Sequence, residues 1–466
     1  MVSKVSGRQV KRNVAISILA QALSLAVSVV LNLFVPKYFS IEDFSYWQTF
    51  LLYNGYVGVL HFGLLDGLML RYAKYDYSEL NKDAISAQFI FLLIILTVFS
   101  VLGALAMFLF TGVPNKLIVL FVSISILTVN LVTYNSYLFQ LTNRITNYSI
   151  LLVLQRLIFG VLVTAAIILK WNQFYWLCIA YLAGEVIACL YAIPYNKGLY
   201  FNTHYSLKEA KVEIWESLKC GILLLLANWS SILIVNGGRM VIQWHWPLSE
   251  FGKVSFSFSI TGLFLTFIQA IGIVLFPSLS RIEQQHLPGI YENLKYKMSY
   301  ILLLLMLLYY PICALLQLWL PQYVESLVYL GYLLPTIIYS SKVSMLTNNF
   351  LKIYRREKAM LYINFFTVIL AFTGFLLFAY VFENLILLLL WSVVAVMVRS
   401  ILSERIVDKI LDKKSYGINI IEIVASITFI ITANTLSLTY GFIVYAVMLA
   451  LLFLLSKHRL TFARIQ

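Results

Sequence analysis

Apolar stretches of 19 to 26 residues recur fourteen times along this chain, and the charged residues gather in the connections between them. At a rise of 1.5 Å per residue, about 20 residues of helix cross the ~30 Å of hydrocarbon in a bilayer. A backbone in lipid must satisfy its own hydrogen bonds, so only helices or closed barrels can span it, and no segment alternates like a barrel strand. Composition agrees. Charged residues are 12% of the 466 positions and hydrophobic ones 61%, whereas soluble domains carry roughly 25% charge. The expected fold class is an all-α polytopic membrane protein with about 14 spans, at 13–35, 46–68, 86–111, 117–139, 148–169, 174–196, 220–243, 251–276, 298–320, 326–347, 359–382, 384–402, 418–436 and 438–456.

Basic residues orient the spans. Alternate connections on one side hold 27 of the 34 Lys and Arg, the other side holds only Lys37, Lys116, Lys170 and Lys253, and Arg156, Arg239 and Lys342 fall inside spans. Lysine and arginine accumulate on the cytoplasmic side, so both termini are expected there, with 36–45 and 244–250 outside. The same distribution accounts for the net charge of +14 without a nucleic-acid partner, since nothing gathers the basic residues on one face. Ala20-Gln21-Ala22 has the spacing of a signal-peptide cleavage site, but it lies within an unbroken apolar run that suits a first span. The four cysteines match no metal or redox spacing, no Gly-rich phosphate loop occurs, and neither cofactor nor metal is expected.

The expected organisation is a six-helix lobe over 1–196, a cytoplasmic linker over 197–219, a second six-helix lobe over 220–402, and a C-terminal segment over 403–466. That last segment holds a cytoplasmic loop, two extra spans and a basic tail. In the linker, Ser206 and Glu209 have capping-box spacing ahead of Ile214 and Leu218, which predicts a short amphipathic surface helix over 206–219. A shift of 207 residues carries Gln21 onto Asn228, Ser24 onto Ser231, Asn32 onto Arg239, Asp43-Phe44 onto Glu250-Phe251, Gln48 onto Ser255 and Asn54 onto Thr261. This gapless recurrence suggests a duplicated six-helix unit. Six is even, so the copies keep one orientation, a repeat design known in transporters with the substrate between the halves.

Polar side chains inside the spans mark the candidate site. Asn13, Ser17, Gln21, Ser24, Ser28 and Asn32 form a stripe on one face of the first span. It serves either as hydrogen-bonding glue between helices or as the wall of a polar cavity. Arg239 shares a face of the seventh span with Asn228 and Ser231, and is read as either an interfacial anchor or an anion ligand. His61, Asp66 and Arg71 cluster at one end of the second span, where Gly63 and Gly67 have the small-xxx-small spacing that admits a close neighbour. Arg156 and Glu185 lie at similar depth in consecutive spans, as either a structural or a coupling pair. Lys342 either snorkels or lines a vestibule.

Several of these segments together resemble the Wzx-type polysaccharide flippases. They are Lys11-Arg12-Asn13, Val35-Pro36, Asp43-Phe44, Phe62-Gly63-Leu64 with Arg71-Tyr72, Gly237-Gly238-Arg239, Glu250-Phe251-Gly252 and Phe276-Pro277-Ser278-Leu279-Ser280-Arg281. That family lies in the multidrug/oligosaccharidyl-lipid/polysaccharide (MOP) exporter superfamily, and the resemblance covers about residues 8–410. Many members have twelve spans. The extra pair here is a departure that is similar to the lipid II flippase. The resemblance implies two six-helix lobes around a cationic cavity in a bacterial plasma membrane. A polyprenyl-pyrophosphate-linked oligosaccharide would move its head group through that cavity while its tail stays in lipid, in company with other polysaccharide assembly proteins. Arg239, Asn228, Ser231, Gln21, Ser24, Asn32, His61, Asp66, Arg71 and Lys342 are the candidate substrate-binding residues. The alternatives are a multidrug/cation antiporter of the same superfamily and a membrane glycan polymerase or transferase. The antiporter is disfavoured because Glu185 and Asp66 are set against three embedded cations. The enzyme is disfavoured because no outer loop is long enough to fold over a sugar donor.

Overall fold

The computed structural model describes residues 7–73, 75, 77–109, 115–202, 204–272, 283–412 and 417–460. The Phe276–Arg281 motif lies outside them. The described chain is helical throughout, and it divides into two compact units, Met1–Trp229 and Ser230–Gln466. The outward side chains of its long helices are apolar, such as Val161, Ile168, Tyr362 and Val381. A helix that exposes apolar side chains over its whole length has lipid as its solvent. The protein is a multi-pass membrane protein.

The first unit holds α1 (Gly7–Tyr38), α2 (Ile41–Asn54), α3 (Leu64–Tyr72), α4 (Lys82–Leu109), α5 (Lys116–Leu141), α6 (Ile145–Ile168) and α7 (Phe174–Asn196). It ends within α8 (Leu207–His245). The second unit continues through α9 (Leu248–Gly272), α10 (Leu287–Leu305), α11 (Tyr309–Trp319), α12 (Val324–Leu333), α13 (Thr336–Ser341), a π turn (Lys342–Thr347), α14 (Asn348–Ile353), α15 (Glu357–Tyr380) and α16 (Leu385–Ile410). The C-terminal pair is α17 (Gly417–Thr435) and α18 (Leu438–Leu460).

Side-chain caps set several helix starts. Ser40 accepts from the Asp43 amide, Asn115 from Leu117 and Asn384 from Leu387, which satisfies amides that have no intrahelical partner. The Ser206–Glu209 capping box also forms, with the Ser206 amide donating to the Glu209 carboxylate and the Glu209 amide to Ser206 Oγ. However, the expected short helix over 206–219 is not a separate element. Nothing after it breaks the backbone, so it forms the first turns of the 39-residue α8.

Eleven helices among the described residues are long and apolar enough to cross a membrane. The other three expected spans take different forms. The fourteenth, in α18, has a shorter apolar stretch over Leu438–Leu454. The second is broken into α2, a 3-10 turn at Val57–His61 and α3, with Phe62 and Gly63 both left-handed at φ 50° and 83°. Gly63 has a conformational reason to be glycine, because a Cβ at positive φ is strained. The tenth is interrupted at Pro335, which has no amide for the helical ladder, and again at the π turn.

Within each unit the helices pair in the same order. In the first, α1 lies on α6, α6 on α7, and α2 and α7 on α5. In the second, Gly237 and Gly238 of α8 meet Phe375 of α15, and Gly238 also meets Ser392 of α16. There α15 packs on α16, while α9 and α16 pack on α12. The C-terminal pair packs on itself, with α17 reaching α10 and α12 and α18 reaching α11.

Candidate functional site

The first unit encloses a cavity of about 90 Å³ whose walls set Ser28 and Asn32 of α1, Gln48 of α2, Arg156 of α6 and Tyr181 of α7 among apolar residues such as Val35, Trp47 and Phe159. The sequence stripe on α1 therefore turns its C-terminal half toward protein. Asn32 Nδ2 donates to the Ser28 carbonyl at 2.8 Å and Ser28 Oγ to the Ser24 carbonyl at 2.9 Å. Gln21 and Ser24 are half-buried farther along the helix. Arg156 and Glu185 do not form a direct ion pair. The Glu185 carboxylate is buried and accepts from Gln155, the residue before Arg156. Arg156 is turned to the cavity instead.

His61 and Asp66 come together at the broken span, and Arg71 turns to α8. The Gly63 amide donates to His61 Nδ1 at 3.1 Å, and His61 Nε2 lies 4.0 Å from the Asp66 carboxylate. Arg71 reaches α8, donating to the Glu213 carboxylate at 2.7 Å, the Glu213 carbonyl at 2.9 Å and Ser217 Oγ at 2.8 Å. The small-xxx-small reading of Gly63 and Gly67 is matched by Ser217 and Gly221 on α8. A Cβ on Gly67 would lie 1.8 Å from the Ser217 carbonyl oxygen, and one on Gly221 would lie 1.9 Å from that of Gly63. Two helices approach this closely only where side chains are absent. Arg71 is thus paired with Glu213 of α8.

In the second unit Arg239 is half-buried, its guanidinium 5.9 Å from the Phe251 ring centre and 5.6 Å from that of Phe258. Aromatic faces attract a cation and orient a planar guanidinium. Asn228 is exposed and Ser231 half-buried on the same face of α8. They are eight to eleven residues away, roughly 12–16 Å along the axis, so one small group cannot touch all three. A cavity of about 170 Å³ beside Phe258 is lined by Asn236, Thr261, Thr336 and Ser392, with apolar neighbours. Its lining carries no charge.

Lys342 departs furthest from expectation. It is fully buried and neither snorkels nor faces a vestibule. Its Nζ lies 2.6 Å from Glu404 and 2.8 Å from both oxygens of Glu422. Glu404 is shared with Lys295 at 2.9 Å, and Lys295 reaches Asp408 at 3.2 Å. Ser400 donates to Glu404, and Ser299 to Glu422. Burial explains the arrangement: an ammonium taken out of water must be surrounded by carboxylates or lose its charge.

No family model matches the sequence, and no curated protein matches it. Solved structures do match. The lipid II flippase MurJ in an inward closed conformation superposes with a TM-score of 0.68 at 12% identity, covering 97% of this chain and 99% of its own. An inward-facing multidrug resistance MATE family transporter of the MOP superfamily gives 0.60 at 13% identity over 84% of this chain and 94% of its own. A MOP superfamily transporter from Pyrococcus furiosus, described as having a binding pocket of reverse polarity, gives 0.52 at 12% over 86% and 96%. The chain shares the fold of these structures.

Within this fold, sequence reading missed Lys295, Glu404, Asp408 and Glu422. Lys295, Glu404 and Asp408 sit where α10 and α16 run beyond their apolar windows, so they read as solvated loop charges. Their signal was Lys295 with Ser299 and Glu404 with Asp408, each at i, i+4. Glu422 lies inside an apolar run and was legible as an embedded acid. With these added, the embedded acids no longer stand at two against three cations, and that argument against a cation antiporter falls.

Proposed function

We propose that the chain is a transporter that moves a polyprenyl-pyrophosphate-linked oligosaccharide across the membrane, head group through protein and tail in lipid. The observation that carries this reading is the extent of the structural likeness. The lipid II flippase fold accounts for nearly all of both chains, including the length that the MATE structures leave unmatched. The polar stripe on α1 and the cationic positions Arg156 and Arg239 support it, because sugar hydroxyls need Ser, Asn and Gln while a pyrophosphate needs arginine. In this reading Arg239 takes the anionic group, Asn228, Ser231, Gln21, Ser24 and Asn32 take hydroxyls, and both termini face the cytoplasm of a bacterial cell. A transporter fold also favours transport over glycan polymerisation.

A cation antiporter is the second reading, favoured by the buried acids of α16 and α17. The two readings part at Arg239. Purified protein in liposomes with a fluorescent polyprenyl-pyrophosphate sugar is expected to translocate it. Arg239→Gln should weaken apparent affinity roughly 10- to 100-fold by losing a charge-assisted contact of about 1.5–3 kcal/mol. Unchanged translocation by Arg239→Gln removes Arg239 from the site.

A further inference from the structure

The buried charges of the second unit form a line of alternating sign: Glu422, Lys342, Glu404, Lys295, Asp408. Three carboxylates face two ammonium groups, so the fully ionised line carries one excess negative charge. Relative exposures are 0–1% for four members and 7% for Asp408. An uncompensated charge at such sites is costly, and the usual remedy is a proton.

The geometry selects which carboxylate takes it. Glu422 accepts two contacts from Lys342 and one from Ser299, and Glu404 lies between both lysines and accepts from Ser400. Asp408 has one lysine, at the longest distances in the line, 3.2 and 3.5 Å. It is also the end least removed from water. The charged and titratable groups about it are Lys295 and Tyr291 from α10 and Glu404 on its own helix, with Lys342 from the π turn and Glu422 from α17 beyond Glu404 in the line. The α14 helix contributes apolar Phe350 and Leu351. Arg405 and Lys409 are exposed, and Arg399 donates to Asn364.

We propose that this line is a proton-binding site which takes up a single exchangeable proton at Asp408. The carboxylate gains the proton, the line becomes neutral, and Lys295 keeps its pairing with Glu404. The site is distinct from the Arg239 region and does not depend on the transported substrate. Because Glu422 belongs to α17, it also ties the C-terminal pair to the charge state of α16.

Infrared difference spectra between neutral and mildly acidic pH, on the full chain in nanodiscs, test this. Wild type is expected to gain the carbonyl band of a protonated carboxyl. Asp408→Asn, already neutral in sum, is expected to lose one acid's worth of that band. The comparison between the two cancels the background from Asp66 and Glu185. Lys295→Gln raises the excess to two and should take up one proton more than wild type, with folding checked by near-UV circular dichroism. A carboxyl band of equal size in wild type and Asp408→Asn overturns the proposal, and so does unchanged uptake in Lys295→Gln.

Discussion

The second span and the eighth, which a shift of 207 residues would align, take two different forms. In the first unit the helix stops at Asn54, passes through a 3-10 turn and restarts after the left-handed Gly63, whereas α9 runs unbroken from Leu248 to Gly272. The broken copy is held by backbone contact, Gly63 and Gly67 against Ser217 and Gly221, with a half-exposed Arg71–Glu213 pair alongside. The second unit instead buries a line of five charges. Its cavities differ in the opposite sense, since the one in the first unit holds Arg156 and the one beside Phe258 has no charged wall. A common packing order therefore does not fix which side chains meet inside each unit. Residue identity at a few positions decides it.

The contrast is breakable at specific residues. Lys342→Met strands Glu404 and Glu422 without their shared cation and should cost about 3–5 kcal/mol, because removing one partner of a buried pair leaves the other unpaired. Arg71→Met, at a pair whose side chains are each 24% exposed, should cost about 1 kcal/mol or less. Denaturant unfolding in detergent reads both, and equal costs would erase the distinction between the units. Gly67→Ala drives a methyl into the Ser217 carbonyl and should cost about 1–3 kcal/mol as an overpacked contact. A melting temperature equal to wild type would mean that the α3–α8 approach is not close. The smallest effect has the opposite sign. A Cβ on Gly262, in the continuous α9, meets nothing within 4 Å. Gly262→Ala should therefore stabilise by about 0.4–1 kcal/mol through the unfolded chain and helix propensity, visible as a small rise in the same melt.

The spans were legible because hydropathy reports the solvent, and lipid demands about 20 apolar residues whatever the local geometry. The same property hides breaks. Residues 46–68 stay apolar through Gly55, Gly58 and Gly63, and only the glycines signalled that the helix ends. Glycine pairing was legible in Gly63 and Gly67 because spacing alone carries it. The lysine–carboxylate line was not, since its members come from α10, the π turn, α16 and α17, and no local pattern states that they meet. Asn32 shows the same limit. Its place on a polar face was readable, but the cavity it shares with Arg156 depends on α6 lying against α1.

The π turn at Lys342–Thr347 has a consequence for how this gene can change. A π turn spreads one more residue over the turn than an α-helix does, which rotates everything beyond it by about 100°. That offset lets Lys342 point to the carboxylates of α16 and α17 while Leu346 and Phe350 join the apolar cluster around Tyr291 and Val407. Deleting one codon anywhere between 342 and 347 restores an ordinary helix and turns one of those two faces away. Substitutions here exchange one side chain, whereas a deletion shifts the whole register, so natural variation at this turn should run through substitution and preserve its length.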